Sequence, residues 1–563
     1  MGVSSRGMRL LSAGAVLFLL AVACGPLLGQ AARGAGPALW PIAIDYPEDG
    51  SIFPPGITAP TFWWRDAAGS SWTIEIALAG RAAPLRIPVK GERLQVGPID
   101  PECVGNKDDV PKLTPRQAAT WTWKPDRATW AAIEAHSVGQ VATITITGYR
   151  AEGAKAGLVA VSQGNMAMTT SADAVGAPIF YRDVPLMPTA NTTGNVQPLA
   201  ADNLHLIRWR LRDIVQPESH TVLANMPTCG NCHSFSADGK KLGMDIDGPA
   251  NDKGLYAMVP VAKHMTIGSK DLVHWNTDGR VGQTRVGFLS QVSPDGRYVL
   301  STFAGPQYRL LDTFYVTNFI DYRFLQVFYP TRGILEWYDS ATGLRQPLPG
   351  ADDPAFVQTD GVWSRDGKWI VFARAQARAP RVRGQGPAMR ANDANETQIQ
   401  YDLYRIPFNG GKGGTAERIV GASENGISNT FPRISPDGKW VVFVECGNGQ
   451  LMRPDSQLYI VPFAGGEARR MRANTSRMNS WHSFSPNGRW MVFASKGRSP
   501  YTQMYLTHID AEGNDSPAII VDNATAANRA VNLPEFVNIA GDGIEKIEVH
   551  VVDAPKPAGR TGR

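Results

Sequence analysis

Apolar and polar residues alternate along several short segments in the first third of this chain. In 72–78 and 141–149, apolar side chains alternate with Thr or Glu, which is the period of a half-buried β-strand. A cluster of Pro, Asp and Gly at 47–50 is typical of the turns between such strands. Large side chains for a core are present at Trp121, Trp123 and Trp130. The pattern predicts a β-sandwich of the fibronectin type III or immunoglobulin-like kind over residues 40–176.

From about residue 178 a repeat replaces this pattern. Its core is Ser-Pro-Asp-Gly or a close variant, followed by Lys or Arg and then by a run of apolar residues. Five copies occur, at 235–240, 292–297, 363–368, 434–439 and 484–489. Asp-Gly favours a tight turn between antiparallel strands, because glycine adopts positive φ without steric cost. Intervals of 50 to 71 residues between the serines are typical of propeller blades.

These copies resemble the TolB-like β-propellers, which are built from Ser-Pro-Asp-Gly repeats. The resemblance covers about 180–549 and implies four-stranded blades around a central channel. Five blades follow directly from the copies, and a sixth is expected if segment 179–181 or 207–211 pairs with the C-terminal part. The predicted fold is therefore all-β, with the sandwich followed by a propeller of six blades over 178–550.

The first copy of the repeat overlaps a second motif. Cys229, Cys232 and His233 form Cys-x-x-Cys-His, the spacing at which two thiols attach to haem and the histidine becomes an axial iron ligand. Together with Ser-Trp-His-Ser-Phe-Ser at 480–485 and Pro-Glu-Phe-Val-Asn at 534–538, this stretch resembles an exported bacterial subgroup of TolB-like proteins related to cytochromes c. The motif and the resemblance predict one covalent haem c. The alternative is a local disulfide between the two cysteines.

The register of the repeat gives candidates for the second axial position. In TolB-like blades the strand before Ser-Pro-Asp-Gly is the innermost one, so the resemblance places His233 and His482, each three places before its serine, at the channel mouth. His482 is the first candidate for the second ligand or for a distal-pocket residue, and the alternative is a hydrogen bond within its own blade. Competing ligands are Met226, Met244, Met258, His264 and Met265. We retain Met244 as the methionine candidate, although most methionines are core residues.

The first thirty residues have the pattern of a secretory signal peptide. Arg6 and Arg9 precede an apolar segment at 10–22, and Ala-Val-Ala ends at residue 23 as a small-residue cleavage site. Cys24 follows directly, as in bacterial lipoprotein signals, although such signals prefer Leu where Ala21 stands. We expect an exported bacterial protein, either periplasmic after simple cleavage or anchored to the membrane through acylated Cys24.

Composition narrows the classes of function. The 563 residues are 43% hydrophobic and 19% charged with a formal net charge of +5, and no basic stripe indicates binding to nucleic acid. No Gly-x-Ser-x-Gly motif occurs, so a serine hydrolase is not expected. The tail at 551–563 is rich in Pro, Gly and Arg and is predicted to be disordered.

Three functional hypotheses follow from these patterns. The first is an exported haem-binding propeller that acts in electron transfer or haem-based redox chemistry with a redox or envelope protein as partner. The second, from another class, is a propeller scaffold that binds a protein or glycan of the cell envelope, with Cys229 and Cys232 in a structural disulfide. The third is a haem enzyme such as a peroxidase, in which His482 serves as acid or base beside a vacant iron position. An enzymatic role is less favoured than the first two.

Overall fold

The computed structural model of the chain describes most of its residues, in eleven ranges. These are 38–104, 110–152, 157–185, 201–248, 252–275, 287–305, 308, 312–320, 325–381, 384 and 386–550. The predicted signal peptide with Cys24 and the predicted disordered tail lie outside them. Within these ranges no helix is both long enough and apolar enough to cross a membrane.

The N-terminal region consists of ten strands and two helices. They are β1 (Trp40–Pro41), β2 (Ala43–Tyr46), β3 (Ser51–Phe53), β4 (Phe62–Arg65), β5 (Ser71–Ala77), β6 (Leu85–Val89), β7 (Glu92–Arg93), α1 (Pro115–Ala118), β8 (Trp121–Trp123), α2 (Arg127–Ser137), β9 (Ala142–Ala151) and β10 (Leu158–Thr170). One sheet has the order β1-β10-β9-β5-β6 with β3 also paired to β10, and the other has the order β2-β4-β8-β7. The alternation at 72–78 buries one face of β5, as the sequence predicts.

Helix α2 was not predicted from the sequence. It begins after Asp126, whose side chain accepts a hydrogen bond from the backbone N–H of Thr129 at 2.7 Å, and it buries Trp130 and Ile133. Strands β1 and β3 pair with β10 in parallel. The parallel pairs and the helix depart from the antiparallel fibronectin or immunoglobulin pattern, so that finer assignment has no support, whereas the all-β prediction is confirmed.

The rest of the described chain forms the propeller strands. They are β11 (Ile179–Pro185), β12 (Arg208–Arg212), β13 (His220–Leu223), β14 (Gly230–Phe235), β15 (Lys241–Gly248), β16 (Asp252–Pro260), β17 (His264–Ile267), β18 (Leu272–His274), β19 (Phe288–Val292), β20 (Tyr298–Phe303), β21 (Phe314–Phe319), β22 (Leu325–Pro330), β23 (Ile334–Asp339), β24 (Leu344–Pro347), β25 (Phe356–Trp363), β26 (Trp369–Gln376), β27 (Asp402–Pro407), β28 (Glu417–Arg418), β29 (Ser428–Ile434), β30 (Trp440–Cys446), β31 (Gln457–Pro462), β32 (Arg469–Arg470), β33 (Asn479–Phe484), β34 (Trp490–Ser495), β35 (Gln503–His508), β36 (Ile519–Ile520), β37 (Arg529–Phe536) and β38 (Lys546–Val549).

These strands form six four-stranded blades. Blades one to five are β14-β15-β16-β18, β19-β20-β23-β24, β25-β26-β27-β28, β29-β30-β31-β32 and β33-β34-β35-β36. Blade six is β37-β11-β12-β13, in which the late strand β37 pairs with the early strand β11. Strands β21 and β22 form a separate hairpin, and β17 pairs with β38 in parallel. The prediction of six blades, closed by an early and a late segment, is confirmed.

The geometry of the Ser-Pro-Asp-Gly turns explains why these residue types recur in each blade. In blade four, Ser435 Oγ donates to Asp437 Oδ1 at 2.6 Å and accepts from the backbone N–H of Trp440 at 2.9 Å. Gly438 takes φ of 73°, which is a strained conformation for other residues. The other four turns repeat these bonds, with Asn487 in place of Asp in blade five. Each turn therefore connects the innermost strand of its blade to the next strand.

The N-terminal region packs against strands of blades five and six. Trp490 Nε1 on β34 donates to the Asp173 carbonyl at 2.9 Å. On β37 the buried Arg529 pairs with Asp183 of the same blade at 2.7 Å and also contacts Cys103 Sγ of the N-terminal region at 2.9 Å. The described residues from Trp40 onward form one compact unit, so the domain boundaries near 176 and 178 stay a prediction.

Candidate functional site

The innermost strands of the six blades, β14, β19, β25, β29, β33 and β37, contact one another in a closed ring. We call the residue four places before the repeat serine, or its equivalent in blade six, the inner position. The inner positions are Cys232, Leu289, Asp360, Phe431, Trp481 and Leu533. A shift in strand register accompanies each of them, as in a β-bulge.

The inner positions fill the channel at their level. Leu289, Phe431 and Trp481 belong to one buried apolar cluster, and Cys232 and Leu533 pack against it. In blades two to six the inner residue takes positive φ, between 50° and 57°, although none of them is glycine. Such conformations are uncommon for large side chains, and backbone strain of this kind concentrates at ligand sites. Cys232 is not among the positive-φ residues.

Next to this level the channel has a recess of about 200 Å³, to which all six blades contribute. Its lining includes three buried side chains with a ring nitrogen, His233, Trp481 and His482, each at least nine-tenths buried. It also includes the half-buried charged residues Arg433 and Glu535, with the exposed Arg365 at its rim. The structure therefore places both histidines predicted for the channel mouth in one recess.

His233 is buried between blades one and six. Its ring lies edge-to-face with Phe180 at 4.8 Å between centroids, and neither ring nitrogen has a hydrogen-bond partner within the described ranges. Nε2 lies 3.8 Å from Glu535 Oε2, too far for a hydrogen bond. Burial, assisted by the charge of Arg182, lowers the pKa of His233 to about 3, and the backbone of Leu533 and Phe180 opposes this only in part. The ring is therefore neutral at neutral pH.

The two thiols of the motif are free and lie in different surroundings. No disulfide joins Cys229 and Cys232, and Cys229 Sγ lies 3.8 Å from Nη2 of Arg182. Cys232 packs against the apolar cluster of the channel. Burial, followed by the charge of Asp245, raises the pKa of the Cys232 thiol far above its ordinary value. This thiol is therefore protonated and a poor nucleophile.

The donor atoms of the motif suit haem, but their arrangement does not. Cys232 and His233 are consecutive in the irregular segment of β14, and their side chains have different neighbours: Cys232 packs against the channel cluster, and the ring of His233 lies against Phe180. In this arrangement the thiol and the ring do not present a common face to haem, and its attachment stays a prediction.

His482 makes the hydrogen bond that His233 lacks. Its Nε2 donates to the carbonyl of Val442 in blade four at 2.9 Å, and its ring lies edge-to-face with Phe431 at 5.4 Å. Nδ1 has no partner among the residues described. Burial and the charge of Arg433 lower the pKa of His482 to about 3, so the ring is neutral and Nδ1 is an acceptor. Blade six separates it from blade one, and its role as an iron ligand stays a prediction.

The other predicted ligands lie mostly in the core. Met244 is fully buried and stands opposite His233 on the neighbouring strand β15. Met226 and Met265 belong to the same apolar cluster as Met244, and Met258 packs against another. His264 is exposed and lies 3.2 Å from Glu545. Of these five, Met244 and Met226 lie next to the motif, Met226 beside Gly230.

The charged residues of the recess, Arg433 and Glu535, were not predicted from the sequence. Glu535 Oε1 accepts from the backbone N–H of Phe235 in blade one at 3.0 Å, and burial raises the pKa of Glu535 to about 7. The guanidinium of Arg433 lies 3.9 Å from the centre of the Phe431 ring, and burial lowers its pKa to about 10. The available signal was their shared register, since both stand two places before the repeat serine or its equivalent.

Neither a protein-family model nor a curated protein matches this chain. Among solved structures it is similar to TolB from Acinetobacter baumannii, with 15% identity over 70% of this chain and 79% of that one and a TM-score of 0.37. A putative TolB from Agrobacterium tumefaciens is 13% identical over 64% of this chain and 99% of that one, with a TM-score of 0.34. Kuenenia stuttgartiensis hydrazine synthase is 11% identical over 64% of this chain and 46% of that one, with a TM-score of 0.33. The propeller assignment rests on the six blades themselves.

Proposed function

We propose that this chain is an exported binding scaffold of the cell envelope that holds a ligand or partner at the mouth of its propeller channel. One observation carries the proposal. His233, Trp481 and His482 line a single recess, and each has at least one buried ring nitrogen without a partner in the described part of the chain. Buried polar groups in folded proteins nearly always have hydrogen-bond partners. Three unsatisfied side chains in one recess support a ligand that supplies the missing partners.

The chemistry of the two histidines and of Cys232 supports binding rather than catalysis by these three groups. Both histidines stay neutral at neutral pH because burial lowers their pKa to about 3, whereas an efficient general acid or base has a pKa near the working pH. The Cys232 thiol is protonated, because burial raises its pKa. The strained inner positions are consistent with a site whose shape the surrounding blades maintain. The signal-peptide pattern supports a location in the cell envelope.

Photo-crosslinking in the exporting cell tests this function. A photoreactive amino acid would replace Arg365, which is exposed at the rim of the recess, and, as the control, Arg86, which is exposed on the N-terminal region. We expect a discrete cross-linked product from position 365 and none from position 86. No product at 365, or the same products from both positions, would contradict a binding site at the mouth.

The second candidate function is electron transfer by one covalent haem c, with Cys229 and Cys232 attached to the porphyrin and His233 as axial ligand. The motif, the two free thiols and the unpaired ring nitrogens of His233 favour it. Bound haem would supply a one-electron redox centre. This candidate requires the beginning of β14 to move from the arrangement described, because the thiol of Cys232 and the ring of His233 lie against different neighbours.

A visible spectrum of the reduced protein tests the haem candidate. Wild type and a Cys229→Ala, Cys232→Ala variant would be exported by a host that attaches c-type haem. A sharp α-band that the variant loses would support the candidate, and a wild type without haem absorbance would contradict it. A His482→Ala variant with an unchanged spectrum would remove His482 as second ligand.

A further inference from the structure

Two side chains of opposite charge line the recess without a close ion pair between them. Arg433 belongs to blade four and Glu535 to blade six, with blade five between them. Among the described residues, Arg433 has no ion pair within 4.0 Å, although the charges of Glu535 and Asp360 act on it from farther away. The basic side chain recorded within 4.0 Å of Glu535 is the neutral ring of His233, at 3.8 Å. Two charges that face one recess and remain unpaired can both be satisfied by a ligand that carries both signs.

Each of the two side chains keeps unused hydrogen-bonding capacity. Within the ranges described, the hydrogen bonding of Arg433 is limited to Nη1, which donates to its own neighbour's carbonyl, Pro432 O, at 2.8 Å. Glu535 uses Oε1 for the backbone N–H of Phe235, which leaves Oε2 without a hydrogen bond. A guanidinium can donate five hydrogen bonds and a carboxylate can accept about four. Most of this capacity therefore faces the recess without a protein partner.

The hydrogen bond that Glu535 accepts from the backbone of blade one does not explain why residue 535 is a carboxylate. Ser234 Oγ accepts from the backbone N–H of Val292 at 2.9 Å, and Ser483 Oγ accepts from that of Phe536 at 3.2 Å, at the equivalent positions of blades one and five. A hydroxyl is therefore sufficient for this bond. Burial of a carboxylate has a free-energy cost, as the raised pKa of Glu535 indicates. A ligand with a positive group accounts for a cost that the fold does not require.

Blade five supplies neutral groups between the two charges. Trp481 Nε1–H is a donor and His482 Nδ1 is an acceptor, since Nε2 of that ring donates to Val442. The indole N–H suits a carboxylate, and the imidazole lone pair suits an ammonium group. Blade five thus offers one donor and one acceptor to the recess.

The size and walls of the recess limit the ligand. A volume of about 200 Å³ admits a molecule somewhat larger than benzene. Val362, Trp363 and Ile434 add apolar surface to the lining. An α-amino acid with an apolar side chain of moderate size fits within the recess.

We infer that the recess binds a zwitterion of the α-amino acid class, with its carboxylate against Arg433 and its ammonium against Glu535, while Trp481 and His482 of blade five offer further hydrogen-bonding groups. The inference rests on the proposed function, since it names the ligand chemistry of the same recess. It predicts that removal of either charge from the ligand weakens binding, and that each loss maps to one side chain of the protein.

Calorimetric titration of the full exported chain tests this inference. The probes are the twenty common amino acids, together with two analogues of leucine: 2-hydroxy-4-methylpentanoate, which lacks the ammonium, and leucinamide, which lacks the carboxylate. We expect apolar amino acids of leucine's size to bind, and both analogues to bind at least about tenfold more weakly, a difference of about 1.4 kcal/mol.

Matched variants of the protein test which side chain binds which charged group of the ligand. Glu535→Gln keeps an oxygen acceptor for Phe235, and we expect it to weaken leucine binding about tenfold with little effect on the hydroxy acid. Arg433→Gln should weaken both. Glu467→Gln removes an exposed carboxylate elsewhere in blade four and should change neither. If Arg433→Gln does not fold, Trp481→Phe removes the indole donor alone and should still weaken leucine binding several-fold.

Equal affinity for leucine and its hydroxy analogue, or no binding of any amino acid at roughly millimolar concentration, would overturn the inference. Cross-linking at position 365 is measured in a separate experiment, so the two proposals can fail independently. Cross-links at the mouth without amino acid binding would overturn the ligand class alone. Amino acid binding that Glu535→Gln and Glu467→Gln leave equally strong would overturn the assignment of the ammonium to Glu535.

Discussion

Blades one and five contain the same four residues, His-Ser-Phe-Ser, at the end of their innermost strands, yet their histidines differ. His482 in blade five donates to the carbonyl of Val442 in the preceding blade. The equivalent carbonyl for blade one is that of Phe180, because Phe180 pairs with Glu535 as Val442 pairs with Arg433. His233 makes no hydrogen bond of good geometry to it, although the Phe180 backbone lies close enough to oppose the lowering of the His233 pKa. The same local sequence therefore produces a satisfied ring in one blade and an unsatisfied ring in the other.

The backbone before the histidine accounts for this difference. Trp481 takes φ of 50°, as do the inner residues of the other late blades within a few degrees, whereas Cys232 is not among the positive-φ residues. The irregular segment of β14 extends from Gly230 to His233. Blade five shows that a histidine at this register can bond to the backbone of the neighbouring blade. Blade one shows that the Cys-x-x-Cys-His segment departs from that arrangement.

The largest difference in stability between blades one and five is expected for substitutions at the inner position. Trp481→Ala removes a large buried ring and should lower the free energy of unfolding by about 3–5 kcal/mol, because the cavity cannot collapse fully. Cys232→Ala removes a single sulfur atom at the equivalent place and should cost about 1 kcal/mol. Urea denaturation of both variants measures the difference. Equal losses would contradict the role of Trp481 as part of the channel filling.

Asp360, the inner residue of blade three, makes the free energy of unfolding depend on pH. Burial raises its pKa to about 6, opposed by the backbone N–H of Phe431 and the charge of Arg433. The folded state therefore binds this proton more tightly than the unfolded state, and the stability that the proton provides is lost as pH rises from about 4 to about 6. A shift from 3.8 to about 6 corresponds to roughly 3 kcal/mol.

Asp360→Asn should remove this dependence, because the amide oxygen still accepts from Phe431 and does not titrate. Urea midpoints of wild type and variant, measured between pH 4 and pH 7, give the comparison. The advantage of wild type over the variant should fall by about 3 kcal/mol across this interval. A constant difference would show that Asp360 titrates at its ordinary pKa.

A smaller contrast is expected between the two histidines. His482→Phe leaves the Val442 carbonyl without its donor and should cost about 1–2 kcal/mol. His233→Phe removes no hydrogen bond and keeps an aromatic ring between the same neighbours, so the change in unfolding free energy should be near zero. Parallel denaturation experiments measure both. A large loss at position 233 would show that its ring has a partner in the folded protein.

The sequence predicted most of the propeller because the repeat is encoded locally. Each Ser-Pro-Asp-Gly turn is formed by hydrogen bonds within six residues, as between Ser435 and Trp440, so five blades follow from five copies. Closure of blade six depends on the pairing of β11 with β37, and was expected from the geometry of propellers. Helix α2 was missed because the Trp-containing stretch that follows Asp126 was read as core material among strands.

The candidate site was predicted only in part. The shared register correctly placed His233 and His482 at one channel mouth. It could not show which ring is satisfied, because that depends on backbone torsion at Cys232 and Trp481. Nor could it bring Arg433 and Glu535 together, since these residues are distant in the chain and meet only when the ring of blades closes.

Intact mass and a visible spectrum of the mature protein, exported by a host with working c-type haem maturation, test the central claim most directly. That claim is that the first blade contributes a histidine to a ligand-binding recess and carries no haem. It predicts the mass of the polypeptide alone and no α-band after reduction. An added mass of one haem with a sharp α-band would contradict it and would establish the redox function instead.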